Sequence, residues 1–387
     1  MRTYWLGIAR GLSSLAILLL SAACGGGGGG GGGGGPAPVV YGGNTGAATV
    51  SPTSASKLTA NVVGSNDTAT IILGVSIESG DATQDVGSGA MDLALRLNRT
   101  LRDTVVRAEQ ARSSQRAVTA ALVSGVCQSG SISTTGTLDS DGTGTVTVSF
   151  NNCLLDGITL NGSATLSVDV FDPGLLEPTD FTISFSRLTL RGSGLSIDAG
   201  GSLRVQLAFA TNKETITANF VSLDNNTGEM TKTDKLEVVN VYDSISFPTS
   251  FTANISGRVF DQVHGYVDVM TTAPLLFGTL SQLFPDSGQL LLTGAGNSSI
   301  RGTALSATLV KLELDLDGNG VQENTATLKW TDLSGPAGSD LDDTDVDGMH
   351  NSWETVNGLD KLVDDAAGDK DGDLVSNINE YLAGTDP

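Results

Sequence analysis

Aromatic side chains, histidine, cysteine and positive charge are all scarce in this chain, and each shortage removes a class of function. Aromatics make up 5% of the residues, too few for the two interfacial girdles of a membrane-spanning β-barrel. Lys and Arg number 21 against 43 Asp and Glu, a formal net charge of -22. Phosphates would be repelled, so nucleic acid is excluded as a partner. Only two histidines occur, His264 and His350. The first stands at a strand start and is expected on the surface; the second falls inside an acidic loop and is expected to face solvent. HExxH, GxSxG, CxxC and P-loop motifs are all missing, and nothing selects a pair of carboxylates for hydrolysis. The chain is therefore expected not to be an enzyme. The apolar run Leu12–Leu20 is too short to span a bilayer.

That run has a different use. Arg2 and Arg10 form a basic region around its start, and Ser21, Ala22 and Ala23 precede Cys24. Residues 1–24 resemble a bacterial lipoprotein signal peptide. The resemblance implies that Cys24 becomes the acylated N-terminus and that the chain is held to a membrane by its lipid. Gly rather than Asp after Cys24 implies the outer membrane, facing either the periplasm or the surface. Gly25–Gly35 is an unbroken glycine run followed by Pro-Ala-Pro, so residues 25–50 read as a flexible tether. The other two cysteines, Cys127 and Cys153, flank a strand–turn–strand pattern centred near residue 140. In an exported chain they read as a disulfide across a hairpin.

Residues 51–125 divide into a loose lead-in and one amphipathic helix. The lead-in is rich in Ala, Ser, Thr and Gly. The helix is expected over 88–121, where Ala90, Ala94, Leu97, Leu101, Val105 and Ala108 recur every three or four residues. Six arginines, from Arg96 to Arg116, lie on the rest of its surface. From 126 to 335 the period becomes two. Examples are Val146, Val148, Phe150; Leu166, Val168, Val170; Phe181, Ile183, Phe185; and Leu203, Val205, Leu207, Phe209, with Ser, Thr and Asn between. Asp141-Gly142, Asn161-Gly162, Gly200-Gly201, Asn226-Thr227-Gly228 and Asp286-Ser287-Gly288 read as turns. The fold expected is mainly β: a large antiparallel meander of around ten to twelve strands, sandwiched or curled, part-covered by the 88–121 helix.

Residues 340–387 hold 14 acidic residues against two lysines, a net of -12 and over half the charge of the whole chain. The acids recur at positions 1, 3, 5 and 12 of two runs, Asp343–Glu354 and Asp369–Glu380. Alternate side chains of a tight loop then point inward as oxygen ligands. Position 7 lends a carbonyl, and the Glu at 12 closes the shell. Calcium, which accepts six to eight oxygens in flexible geometry, is the ion such a loop suits. The stretches DTDVDGMHNSWETVNGLD (343–360) and DAAGDKDGDLVSNINEYLAGTDP (365–387) resemble the thrombospondin type 3 repeats of bacterial surface proteins. That likeness implies a loop-rich calcium-binding tail with ligands Asp343, Asp345, Asp347, Met349, Asn351 and Glu354 in the first loop. In the second they are Asp369, Asp371, Asp373, Val375, Asn377 and Glu380. Leu374 stands where Gly348 makes the sharp turn of the first loop, so the second is expected to be weaker or differently wound. A third opening, Asp315–Ala326, lacks the closing carboxylate and reads as a strand-to-strand turn.

Two functions fit. The first is a calcium-binding, lipid-anchored cell-envelope protein with a structural or adhesive role, its β domain open to a surface glycan or protein ligand. The second is a lipid or glycan carrier that uses a groove in the β domain.

Overall fold

The computed structural model describes residues 37–63 and 127–387, apart from residues 140, 156–157, 175–176, 193–194, 246–247, 280–281, 283, 335–340, 342, 346 and 384. The signal segment with Cys24, the glycine run and the 88–121 helix lie outside the described residues.

The chain is mainly β, as the alternation predicts. Among the described residues thirteen strands follow one another: β1 (Ser129–Leu138), β2 (Gly144–Leu155), β3 (Ile158–Asp172), β4 (Glu177–Gly192), β5 (Leu195–Ala208), β6 (Lys213–Asp224) and β7 (Met230–Tyr242). They continue as β8 (Phe251–Asp261), β9 (Gly265–Phe277), β10 (Ser287–Thr293), β11 (Ser299–Ala304), β12 (Leu309–Asp315) and β13 (Asn324–Lys329). All thirteen join one sheet in sequence order, each antiparallel to the next. Alternation sets the two faces. On β6, Ile216, Ala218 and Phe220 are buried while Thr217 and Asn219 are not. The polar face carries cross-strand pairs such as the two-pronged Arg204–Asp180 and Arg258–Asp268 bridges.

Two of the expected turns are bends within strands. Asn161-Gly162 lies inside β3 and Gly200-Gly201 inside β5. Gly162 has φ 112° and Gly201 φ 142°. A Cβ there would fall 2.3 Å from the Arg187 carbonyl oxygen and 2.2 Å from that of Asn219. Only glycine lets the neighbouring strand come so close. Register shifts recur at Phe150/Cys153, Gly162/Thr165, Phe185/Leu188, Ala218/Val221, Asp234/Glu237 and Ala253/Ser256. Each adds a local kink and extra twist, which curls a long sheet about its apolar face. A shift at Val168/Val170 also turns Val170 outward, 50% exposed, against the alternation that placed it inside. Phe209 leaves the strand for a 3₁₀ turn, Phe209–Thr211.

The lead-in is not loose throughout. Pro52–Val63 forms helix α1, with Ala55, Leu58 and Val62 at 1% exposure or less. Ser51 caps it, accepting from the Ser54 N–H at 3.2 Å, and Pro52 takes the first helical place. The helix packs on β8, on β11 and on a 3₁₀ turn, Trp330–Ser334, closing part of the apolar core. Its large apolar residues are few, so its period is faint in the sequence. Ser54, Ser56, Thr59 and Ala60 are buried too, because small side chains let a helix lie close on a sheet.

Cys127 and Cys153 are disulfide-bonded, with Cα atoms 5.2 Å apart. The register differs from a simple hairpin about residue 140. Leu138 pairs with Gly144, and a bulge near Ser129 shifts the far end so that Ser129 faces Leu154.

Candidate metal centre

The acidic runs fold as loops because each aspartate ties down the backbone just ahead of it. In the first loop Asp343 accepts from the N–H groups of Asp347 (3.2 Å) and Gly348 (2.9 Å), and Asp347 accepts from Met349 (2.9 Å). The second loop repeats this. Asp369 accepts from Gly372 (2.7 Å) and Leu374 (3.0 Å), Asp371 from Asp373 (3.0 Å), and Asp373 from Val375 (2.8 Å). Such turns gather carboxylates that would otherwise repel one another. Each loop runs into a short helix, α2 (Asn351–Asn357) and α3 (Asn377–Ala383), which carries the closing glutamate inward.

The carboxylate oxygens of Asp343, Asp345 and Asp347 lie within 4.8 Å of one another, and so do those of Asp347, Glu354 and Asp365. Asp365 comes from the link between the loops. No spacing in the sequence marks it; the fold alone delivers it. Both oxygens of Asp345, both of Glu354, one of Asp347 and one of Asp365 are buried without a hydrogen-bond partner. Glu354 is fully buried. Burial first, and then the charges of Asp345, Asp347, Asp365 and Asp343, push its carboxyl up to about 7. Asp347 is raised in the same way, by burial and then by Asp345 and Asp365 against a restraining bond from Met349. Carboxylates gathered and buried in this way are stabilised by a positive charge placed among them. The donor set, all hard oxygens, fits a hard divalent cation.

The second loop brings Asp369, Asp371 and Asp373 within 4.8 Å, all three exposed. Glu380 is buried behind them, with one oxygen unpartnered. Burial and the charges of Asp371, Asp373 and Asp369 raise its carboxyl. The winding matches that of the first loop despite the leucine. Leu374 has φ 77° where Gly348 has 95°.

The remaining site residues and both histidines have defined partners. Asn351 and Asn377 face their own loops: the Oδ1 of Asn351 accepts from Thr344 N–H (3.1 Å), that of Asn377 from Lys370 N–H (3.2 Å). His350 does not face solvent. It is buried, its Nε2 lies 2.8 Å from the Tyr381 hydroxyl, and Tyr381 also packs edge-on against Trp353. His264 is half-buried, with Nδ1 2.8 Å from the buried Asp261. In the third loop Asp315, Asp317 and Glu323 gather their carboxylates, Glu323 from the ninth position supplying what Ala326 at the twelfth lacks. Ala326 lies in β13, opposite Leu312.

The described residues thus define an antiparallel meander that carries paired acidic loops at its C-terminal end. Comparison with protein-family models, with curated proteins and with solved structures finds no match to this chain.

Proposed function

We propose that this protein is a calcium-binding, lipid-anchored component of the bacterial cell envelope with a structural or adhesive role. Cys24 and the signal segment supply the anchor and the glycine run the tether. The β domain is the body, and the two C-terminal loops hold one calcium ion each. The observation that carries the ion assignment is the set of buried, unpartnered carboxylate oxygens on Asp345, Asp347, Glu354, Asp365 and Glu380. A carboxylate kept from water without a partner is costly, and four gathered at the first loop, with Glu380 at the second, call for cations. Helix α1 supports a structural role over a carrier, because its buried residues fill the inner face above β8 and β11.

Titration calorimetry on the mature chain is the test. Two calcium sites per chain are expected, at about 10⁻⁴–10⁻³ M or tighter. Asp345→Ala should remove one and Asp371→Ala the other. Absence of calcium-dependent heat at millimolar ion would reduce the segment to an acidic tail.

A further inference from the structure

The first cage is incomplete within its own loop. Its fifth carboxylate, Asp365, lies beyond α2 on the link to the second loop, and that link is held from the far side. The main-chain oxygen of Asp365 accepts from Asn377 Nδ2 at 2.8 Å and from Gly368 N–H at 2.8 Å. The Asn377 N–H donates to the Gly368 oxygen (2.8 Å), and the Ile378 N–H to that of Ala366 (3.0 Å). Asn377 is buried, the ninth residue of the second loop and the first of α3. One turn along that helix is Glu380, the closing residue of the second loop, buried with one oxygen unpartnered. An ion in the second loop would draw Glu380 inward and fix α3. That fixes Asn377, and Asn377 fixes the backbone of Asp365.

Resting on the calcium reading above, we propose that Asn377 is a positioning residue that couples the two sites: filling the second loop sets Asp365 in place for the first. Asn377 then acts through its amide on a backbone carbonyl in the neighbouring site, not as an oxygen ligand of its own loop. Binding is reciprocal by linkage, so each ion strengthens the other by the same factor.

The test is a thermodynamic cycle on the full mature chain with calcium as the probe, read by calorimetry and by Trp353 fluorescence. Trp353 adjoins Glu354 and packs on Tyr381 of α3, so its emission follows ordering of the tail as a whole, while calorimetry separates the two sites. Asp371→Ala, which empties the second loop, should weaken the first site about tenfold. Glu354→Gln, which empties the first, should weaken the second by the same factor. Asn377→Ala should bring both factors close to one. Tyr381→Phe, which loses the bond to His350 but keeps the ring contact, should leave them unchanged. A first site indifferent to Asp371→Ala would overturn the coupling. Coupling that survived Asn377→Ala would overturn the role of Asn377. Either result differs from failure of the calcium reading itself, in which the unaltered chain would bind no calcium at all.

Discussion

Leu374 holds a backbone angle that glycine holds at the matching place in the first loop, and it does so with its side chain 94% exposed. Nothing packs on it, so its strain has no local compensation. A left-handed non-glycine residue costs about 1–2 kcal/mol, and a new glycine returns roughly 0.4–1 of that to the unfolded chain. Leu374→Gly should therefore stabilise the folded tail by up to about 1.6 kcal/mol, read as slower protease cleavage within residues 369–380. Glu354 makes a pH-dependent prediction. Burial and the neighbouring aspartates push its folded carboxyl up to about 7 against an ordinary value of 4.5. A raised carboxyl favours the protonated native tail, so this contribution is present at low pH and is lost as pH rises through 7. On the proposed reading, calcium displaces that proton on binding. The first site should lose about tenfold in affinity per pH unit below 7 and release about one proton per ion at pH 6. Calorimetry in two buffers of different ionisation heat measures the release; heats independent of buffer would contradict it.

At the scale of elements, α1 and the strand bends do what the turn motifs alone do not. Leu58 is 1% exposed at the centre of α1, between the sheet and the turn at Trp330. Leu58→Ala should cost about 2–4 kcal/mol of stability by leaving a cavity, measured by urea unfolding. Loss of under 0.5 kcal/mol would mean that α1 is not part of the folded core. Buried Asp198 shows how β4 and β5 tolerate a charge. Burial raises its carboxyl, but the Thr189 hydroxyl and the Arg187 and Arg191 guanidiniums outweigh that and hold it below the usual range. Asn161-Gly162 and Gly200-Gly201 have the composition of turns and the position of bends. A glycine pair permits positive φ but does not say whether the chain reverses or continues; the flanking strand pairing decides.

Across the whole molecule, the acidic tail is attached to the end of the meander. α3 contacts β13, and Lys329 Nζ donates to the Ala383 carbonyl oxygen at 2.6 Å. Leu341 and Met349 are fully buried. Calcium should thus protect residues 343–380 from protease well beyond what magnesium does, because magnesium demands tighter octahedral geometry. Equal protection by both ions, followed by mass spectrometry of the cut sites, would count against a calcium cage. Cys24→Ser should move the chain from the membrane to the soluble fraction or stall its processing; a variant that still pellets after a salt wash would refute the anchor.

The period-two alternation of residues 126–335 and the 1-3-5-12 spacing of the acidic runs were enough to read a mainly antiparallel β chain and two loops that gather carboxylates. Both signals are local. A strand's faces and a loop's inward side chains follow from neighbours a few residues away. Other features depend on partners remote in sequence. The burial of α1 rests on β8, β11 and the Trp330 turn, and the face of Val170 on a register shift. The placing of Asp365 beside Glu354 rests on the link held by Asn377, and the burial of His350 on Tyr381. Tertiary structure alone decided these, because packing and register are set by which distant surfaces meet, and no spacing within one segment encodes that meeting.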